Sequence, residues 1–416
     1  MVRLPRRRFL LLAAGGTGLA ALGGLVGLRF GLPRWSRPRP LRPLGDEAQA
    51  FADRCFEGLD RARMWDTHVH LVGLGAGDTG CWINPEMQSH LHPIKRFQFD
   101  IYTESLGMTS PESADGDYVE RLLALHRAAN PRGKLVLMGF DQAVAENGRE
   151  LPEQSPFYTP NAYALQLAAR HDDLVACVSI HPYRTDAVDR LDAAADVGAV
   201  AVKWLPNAMG IDPASPRCER FYRRLAGLGL PLITHAGQEY AVHAAHGQDL
   251  GDPLRLRTAL DLGVRVVVAH CASLGSFEGE ASFDRFMRLF TDPSYDTNLF
   301  GDISALTQIN RSTEPLQELI AAPELHHRLV NGSDYPLPAL RVLFSTGKWQ
   351  IAGLLDGEQR RLCNEVAEVN PLLFDFVLKR ALAYRKNGRT YRFADSVFET
   401  DWLFQAGTQL ARSGPR

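Results

Sequence analysis

The segment Asp66-Thr67-His68-Val69-His70 ends the first of eight short apolar runs, which alternate with amphipathic stretches along the chain. This alternation is typical of a parallel α/β fold. The predicted strands are 64–70, 134–140, 174–180, 199–205, 230–235, 264–270, 299–303 and 328–331. The helix candidates, with apolar residues at three- and four-residue spacing, are 118–129, 162–170, 187–196, 218–228, 253–262 and 283–289. Because eight strand–helix units follow one another, we predict a closed α/β barrel of the (β/α)8 TIM type.

Two segments depart from the regular alternation. Residues 72–117 separate the first strand from its helix, and a segment of that length predicts a lid or an extra hairpin. After Asp334 the chain continues for a long way and includes the helical segment 371–384. We predict that this helical C-terminal extension covers the floor or the side of the barrel.

The N-terminus has the pattern of a targeting segment. Arg6-Arg7-Arg8 precedes a Gly- and Ala-rich apolar run that extends to about Leu28, and the paired arginines resemble a twin-arginine export signal. The run is also about long enough to span a bilayer, and no clear Ala-x-Ala site follows, so a membrane anchor stays open. We predict a signal or anchor at 1–30, a Pro/Arg-rich linker at 31–46 and a barrel domain at 47–416, exported to the periplasm or anchored facing it.

The bulk composition is that of an ordinary globular protein. The 416 residues are 45% hydrophobic and 23% charged, which is enough to bury a large core. The formal net charge is -2, so we predict no nucleic-acid partner. The six cysteines form no CxxC pair, which argues against a cysteine zinc site.

Polar residues close several of the predicted strands, at the end where active sites of such barrels lie. They are His68 and His70 on the first strand, Lys203 on the fourth, His235 on the fifth, His270 on the sixth and Asp334 after the eighth. Residues two apart on a strand point to the same side, so His68 and His70 can hold one ion. Imidazole and carboxylate suit zinc and related divalent metals. A single histidine at a strand end is more often structural, but a set on five different strands predicts a metal site.

This ordered set resembles the amidohydrolase superfamily of metal-dependent hydrolases. The motifs that carry the resemblance are Asp66-Thr67-His68-Val69-His70, Val202-Lys203-Trp204, Thr234-His235-Ala236-Gly237, Ala269-His270-Cys271 and Gly332-Ser333-Asp334-Tyr335-Pro336. The chain lacks room for the flanking β-sandwich of the urease-like and dihydroorotase-like branches. It is therefore more similar to the sandwich-free branch, which contains lactonases and aromatic-acid decarboxylases.

The resemblance implies a divalent metal, zinc before manganese or iron, and assigns roles to these residues. His68 and His70 would hold the more buried ion, and Asp334 would bind it and accept a proton from the attacking water. In binuclear members a carbamylated lysine at the place of Lys203 bridges two ions, and the residues matching His235 and His270 hold the second. In mononuclear members His235 joins the first ion, and His270 is an acid/base group or a substrate contact. Both patterns stay open, and we favour one ion because sandwich-free members commonly use one.

Two further residues have alternative interpretations. Asp302, near the end of the seventh strand, faces the substrate or caps a helix. His181, after the third strand, lines the pocket or is structural.

Three functions fit this sequence. The leading one is hydrolysis of an amide, ester or lactone, and the second is non-oxidative decarboxylation of a carboxylated aromatic substrate at the same motifs. The third, a non-catalytic exported binding protein, would be expected to lack metal ligands, and none is missing here. A small-molecule substrate is expected, with its identity set by the loops, mainly 72–117. Membrane contact is predicted only through the N-terminal segment, and a homo-oligomer stays open.

Overall fold

Eight parallel strands form the centre of the structure, a computed structural model that describes residues 37–108, 110–129, 133–242 and 247–412. The strands follow one another around the sheet in chain order, and every neighbouring pair is parallel. They are β1 Asp66–His70, β2 Leu135–Met138, β3 Leu174–Val178, β4 Ala201–Trp204, β5 Leu232–His235, β6 Val266–Ala269, β7 Leu299–Asp302 and β8 Leu329–Val330. Each lies within a predicted strand, so the prediction of an α/β TIM barrel is confirmed.

Hydrogen bonds between the first strand and the chain after β8 bring the two edges of the sheet together. Thr67 N donates to Asn331 O at 3.1 Å, and His70 N donates to Tyr335 O at 2.8 Å. In the other direction, Asp334 N donates to His68 O at 2.9 Å. The bonds to Asn331 and Tyr335 satisfy backbone donors that an open sheet edge would leave unpaired. They also hold Asp334 beside the histidines of β1.

Alternation along the strands separates an inner cluster of side chains from an outer one. On β4, Ala201 belongs to the inner cluster, whereas Val202 and Trp204 belong to the outer one. Side chains two apart share a face, so Lys203 shares the inner face of Ala201. Four of the six predicted site residues lie on strands and are placed in this way, whereas His270 directly follows β6 and Asp334 is placed by the turn after β8.

Helices surround the strands, most of them on the outer faces. They are α1 Asp46–Cys55, α2 Pro93–Leu106, α3 Ala114–Ala128, α4 Asn161–Arg170, α5 Ala187–Asp196, α6 Pro206–Met209, α7 Glu219–Leu228, α8 Arg257–Asp261, α9 Ser282–Phe290, α10 Glu314–Ile320, α11 Thr346–Ile351, α12 Gly357–Val369, α13 Pro371–Ala381 and α14 Gln405–Arg412. On α9, for example, Phe283, Phe286 and Phe290 recur at three- and four-residue spacing and are all buried in the outer cluster. Such a stripe drives a helix onto a sheet.

The insertion after β1 forms a helical lid. The short strand Trp82–Ile83 pairs with Phe157–Tyr158, and α2 follows, ending where Gly107 adopts a left-handed conformation with φ of 74°. Tyr102 on α2 donates a hydrogen bond to Ala241 O in the loop after β5, at 3.3 Å. The insertion is thus tied across the mouth of the barrel.

The C-terminal extension, residues 346–412, includes α11 to α14 and closes the barrel floor. Leu403 and Phe404 belong to the inner cluster of the barrel. Phe404 stacks on Trp65 with ring centroids 5.5 Å apart, and Arg265 donates to Leu403 O at 3.0 Å. Both predicted placements are observed, because Leu373, Phe376 and Leu378 of α13 belong to the outer cluster on the side of the barrel.

The predicted signal or anchor at 1–30, and the linker up to residue 36, lie outside the described residues. Among the residues that are described, no helix is long and apolar enough to cross a membrane. The division into signal, linker and barrel therefore stays a prediction.

Candidate metal centre

The six predicted site residues line one cavity at the carboxyl ends of the strands. His68, His70, Lys203, His235, His270 and Asp334 all contribute to its wall. The side chain of His70 is about a quarter exposed, and the other five residues are buried. The lid helix α2 covers the cavity with Phe99, Tyr102 and Leu106.

His68 is held from behind and presents its second nitrogen to the cavity. Its Nδ1 donates to Asp302 Oδ2 at 2.6 Å. Its Nε2 lies 3.1 Å from Lys203 Nζ and 3.5 Å from Asp334 Oδ1. A carboxylate behind a histidine fixes the tautomer that leaves Nε2 free for a metal. Asp302 therefore orients His68. It takes neither of the two roles considered from the sequence, which were facing the substrate and capping a helix.

Ser304 links the same carboxylate to the sixth-strand histidine. Its Oγ donates to Asp302 Oδ2 at 2.8 Å and accepts from His270 Nδ1 at 2.7 Å. His270 has a φ of 57°, in the left-handed region, where its backbone leaves the strand geometry of β6. Nε2 of His270 then lies 3.9 Å from Asp334 Oδ2. Strain of this kind persists where the surroundings over-determine a conformation, as they commonly do at functional sites.

Asp334 lies at the centre of the group because of the turn that precedes it. A Cβ on Gly332 would stand 2.5 Å from the Cβ of His68, so only glycine permits this close approach. Asp334 itself has a φ of 58°. Its Oδ1 accepts a hydrogen bond from His70 Nε2 at 3.1 Å.

His235 carries a buried nitrogen without a partner. Its Nδ1 faces Glu239 Oε2 at 3.5 Å, and no hydrogen-bond partner is found for Nε2 among the described residues. An unsatisfied buried polar atom costs free energy, so a ligand for this nitrogen is expected. Glu239 is held in turn by the backbone N–H groups of Ala241, at 2.5 Å, and Val242.

Burial sets the charge of these groups. It holds the pKa values of His68 and His270 well below their ordinary range, with the positive charges of Lys203 and Arg311 respectively adding to the effect. Burial likewise lowers the pKa of His235 to about 4 and lowers the pKa of Lys203. Burial would raise the pKa of Asp334, but the hydrogen bond from His70 and the charges around it outweigh burial and lower it. His68, His235 and His270 are therefore neutral imidazoles and Asp334 is an ionised carboxylate, the forms that bind metals.

The donor set fits a divalent metal. One ligand atom each from His68, His270 and Asp334 lie within 4.8 Å of one another. His70 and Lys203 adjoin this group, and the unpartnered nitrogen of His235 faces the same cavity. Nitrogen and carboxylate donors of this kind suit zinc, manganese and iron.

The family profile described as amidohydrolase matches residues 65–368, which is most of the chain. The chain belongs to the amidohydrolase family. The resemblance seen in the strand-end residues is thus confirmed, and members of the family use divalent metals. None of the curated proteins matches this amidohydrolase.

Solved structures match this amidohydrolase at low identity and with TM-scores below 0.5. An uncharacterised TIM-barrel protein from Bordetella bronchiseptica is 16% identical with a TM-score of 0.47, covering 76% of this chain and 99% of that one. A candidate 2-pyrone-4,6-dicarboxylic acid hydrolase from Pseudomonas putida is 17% identical with a TM-score of 0.44, covering 75% and 97%. A 5-carboxyvanillate decarboxylase from Sphingomonas paucimobilis is 12% identical with a TM-score of 0.39, covering 74% and 99%. At these TM-scores no conclusion on reaction or substrate follows.

Three residues of this amidohydrolase's cavity region had no assigned role from sequence. Ser304 and Glu239 orient histidines, and Arg311 lines the cavity. The place of Glu239 four residues after His235 was a weak signal, whereas nothing near Arg311 in the sequence marked it. His181 lies behind the cavity, where its Nε2 donates to Met209 O at 2.9 Å and its Nδ1 accepts from Tyr183 N at 3.2 Å. Those bonds favour the structural interpretation.

Proposed function

We propose that this amidohydrolase binds one divalent metal ion, with zinc as the first candidate, and hydrolyses an amide, ester or lactone bond. The observation that carries the proposal is the meeting of four imidazoles, a lysine and a carboxylate at one largely apolar cavity. The proposed ligands are His68, His70, His235 and Asp334, whereas His270, whose Nε2 lies 3.9 Å from Asp334 Oδ2, is assigned to proton transfer. Asp334 Oδ1 lies within hydrogen-bonding or near-contact distance of both β1 histidines, and His235 supplies the unpartnered nitrogen.

The side chains around the ion divide the proton transfers between them. A bound divalent metal lowers the pKa of water and stabilises negative charge that develops on a carbonyl oxygen. Asp334 is ionised at neutral pH, so it accepts the proton of the attacking water. The water oxygen bonds to the carbonyl carbon, and the bond from that carbon to the leaving oxygen or nitrogen breaks. His270, whose Nδ1 is fixed by Ser304, is placed to deliver the proton from Asp334 to the leaving group.

Lys203 remains an amine in this proposal. Burial lowers its pKa, and a buried lysine of lowered pKa is also the kind of amine that reacts with carbon dioxide. A carbamylated Lys203 that bridges two ions is therefore the alternative that the measurement of metal content must distinguish.

Metal content and turnover of histidine variants test the assignment. We expect one equivalent of metal per chain in the wild type and its loss in His235→Ala. His270→Ala should keep the metal but lose turnover on amide, ester or lactone substrates by about 100-fold or more. His327→Ala, at an exposed position, is the matched control and should change neither.

Other results would contradict the proposal in distinct ways. Two equivalents of metal with a mass increase of one carbon dioxide would establish the binuclear site. Less than about a tenth of an equivalent after gentle purification would rule out the metal-dependent reaction. Release of carbon dioxide from carboxylated aromatic acids, without hydrolysis of any panel member, would make the protein a decarboxylase.

A further inference from the structure

Arg311 is a buried cation on the cavity wall. It follows β7 by a short loop, is 7% exposed, and lines the same cavity as His270 and Asp334. Its Nη1 donates to Ser273 Oγ at 2.7 Å. Within the described part of the chain, no carboxylate oxygen lies within 4.0 Å of its guanidinium, and its Nε has no hydrogen-bond partner.

Two other buried arginines of this chain are neutralised by carboxylates. Arg184 forms a two-pronged pair with Asp141 and also contacts Glu150. Arg285 lies against Asp252 and Glu278. Burying a guanidinium without such a partner is costly. Arg311 therefore differs from these two arginines, and it does so on the wall of the cavity.

A second unpartnered donor stands three residues away. Gln308 is 4% exposed and lines the cavity, and its Nε2 also has no partner among the described residues. Arg311 N donates to Gln308 O at 3.4 Å, so the two residues share one turn. Both unmatched groups are donors, and the group that would satisfy them is an acceptor that carries negative charge.

The rest of the cavity determines the kind of molecule that carries this anionic group. Its remaining walls are mainly apolar and include Ile83, Phe99, Leu106, Phe140 and Leu274. Its volume is about 170 Å³. A cavity on the order of 150 Å³ holds benzene, so this cavity accommodates an apolar group about the size of one aromatic ring.

We infer that Arg311 and Gln308 bind a non-reacting carboxylate group of the substrate, and that this carboxylate is attached to an apolar group about the size of one ring. This inference rests on the proposed function for the cavity being the substrate site, and it names the substrate class. The planar guanidinium matches a carboxylate in two-pronged geometry. Arg311 is thus a specificity-determining residue, separate from the groups that hold the metal.

Binding of a matched acid and amide tests this inference without requiring turnover. The probes are 3-phenylpropanoate and 3-phenylpropanamide, titrated by calorimetry into the full chain as purified. We expect the acid to bind about tenfold more tightly than the amide, or better. In Arg311→Gln the two affinities should fall within about twofold of each other, whereas Arg311→Lys keeps part of the preference. The control Arg190→Gln, at an exposed position on α5, should retain all of it.

A carboxylate that bound only to the metal would keep its preference in Arg311→Gln, and that result would overturn the inference. Equal binding of acid and amide to the wild type, or no binding of the acid in the millimolar range, would do the same. Failure of hydrolysis or of metal binding, with the preference for the acid intact, would instead count against the proposed function alone.

Thermal unfolding separates this role from a structural one. If Arg311 only tied two loops together through Ser273, Arg311→Gln would lower the melting temperature and leave the acid preference unchanged, which would overturn the inference. Removal of an unpaired buried charge should instead leave the melting temperature of the ligand-free protein unchanged or higher. Should Arg311→Gln fail to fold, Gln308→Leu is the second variant, with an expected loss of about tenfold in acid affinity and little change for the amide. An unchanged acid affinity there would count against the inference.

Discussion

The carboxylate of Asp302 acts on two histidines at once. It accepts directly from His68 Nδ1, and through the hydroxyl of Ser304 it reaches His270 Nδ1. Both rings are thereby fixed in the tautomer whose Nε2 faces Asp334. His68 and Asp302 lie more than two hundred residues apart in the chain, so strand-end chemistry alone could not pair them.

Asp302→Asn tests this positioning role. The amide cannot hold the charge that orients His68, and we expect metal affinity to fall by about 10- to 100-fold. Competition with a chromogenic chelator measures the affinity, and circular dichroism checks the fold. Asp189→Asn, at an exposed position on α5, should leave the affinity unchanged. An Asp302→Asn protein with wild-type affinity would show that Asp302 has no part in holding the ligand.

At the scale of the elements, β1 and the turn after β8 approach each other so closely that a methyl group on Gly332 would clash with His68. Gly332 faces the Cβ of His68, and the turn carries Asp334 two residues later. The backbone bonds between His68 and Asp334, and between Thr67 and Asn331, leave little room for either side to retreat. The closure of the barrel and the assembly of the metal centre therefore depend on the same turn.

Gly332→Ala should weaken metal binding and lower the melting temperature together. The added Cβ requires a shift of His68 or of the turn, at a cost of about 1–3 kcal/mol. Chelator competition and thermal unfolding give the two readouts. The matched control is Gly227→Ala on α7, where a Cβ would meet nothing within 4 Å and should stabilise the helix by about 0.5–1 kcal/mol. If Gly332→Ala behaved like the control, the close approach would have no consequence.

The elements that could be predicted from sequence are those whose side chains face a uniform environment. Strands such as Val266–Ala269 are buried on both faces, so an apolar run marked them and a polar residue marked their ends. The lid was harder to anticipate. The residues of α2 are mostly half-buried, with Phe99 and Tyr102 turned to the cavity, so no clear apolar stripe distinguished a helix from a hairpin. The role proposed for Arg311 could not be predicted from the sequence, because it rests on the hydrogen-bond partner that its Nε lacks in the folded structure.

At the scale of the whole molecule, the C-terminal extension supports the metal centre as well as the barrel floor. Lys379 on α13 donates at 2.6 Å to Gly332 O and at 2.6 Å to Asp375 Oδ2. Both side chains are 1% exposed. A buried cation thus joins the extension to the turn that carries Asp334, and its counter-charge is a carboxylate with one oxygen, Oδ1, that has no partner among the described residues.

The buried pair makes stability depend on pH in a predictable direction. Burial raises the pKa of Asp375 from 3.8 to about 7, against the opposing effect of Lys379, and Asp66 and Asp302 raise it further. The folded protein therefore binds this proton more tightly than the unfolded chain does. The stabilising contribution is complete below about pH 4 and is lost as the pH rises through about 7.

Asp375→Asn cannot titrate, so we expect the wild type to lose stability relative to this variant as the pH rises. The difference in the free energy of unfolding should change by about 1 kcal/mol per pH unit between about pH 5 and pH 7, measured by urea unfolding at constant ionic strength. Asp395→Asn serves as control because that carboxylate is half exposed and pairs with Arg380 at the surface; its difference from the wild type should stay flat. Parallel stability curves for the wild type and Asp375→Asn would mean that Asp375 stays ionised throughout, with Lys379 compensating fully for its burial. The extension would then hold the Asp334 turn equally well across this range, and any pH dependence of the reaction would have to arise at the metal centre itself.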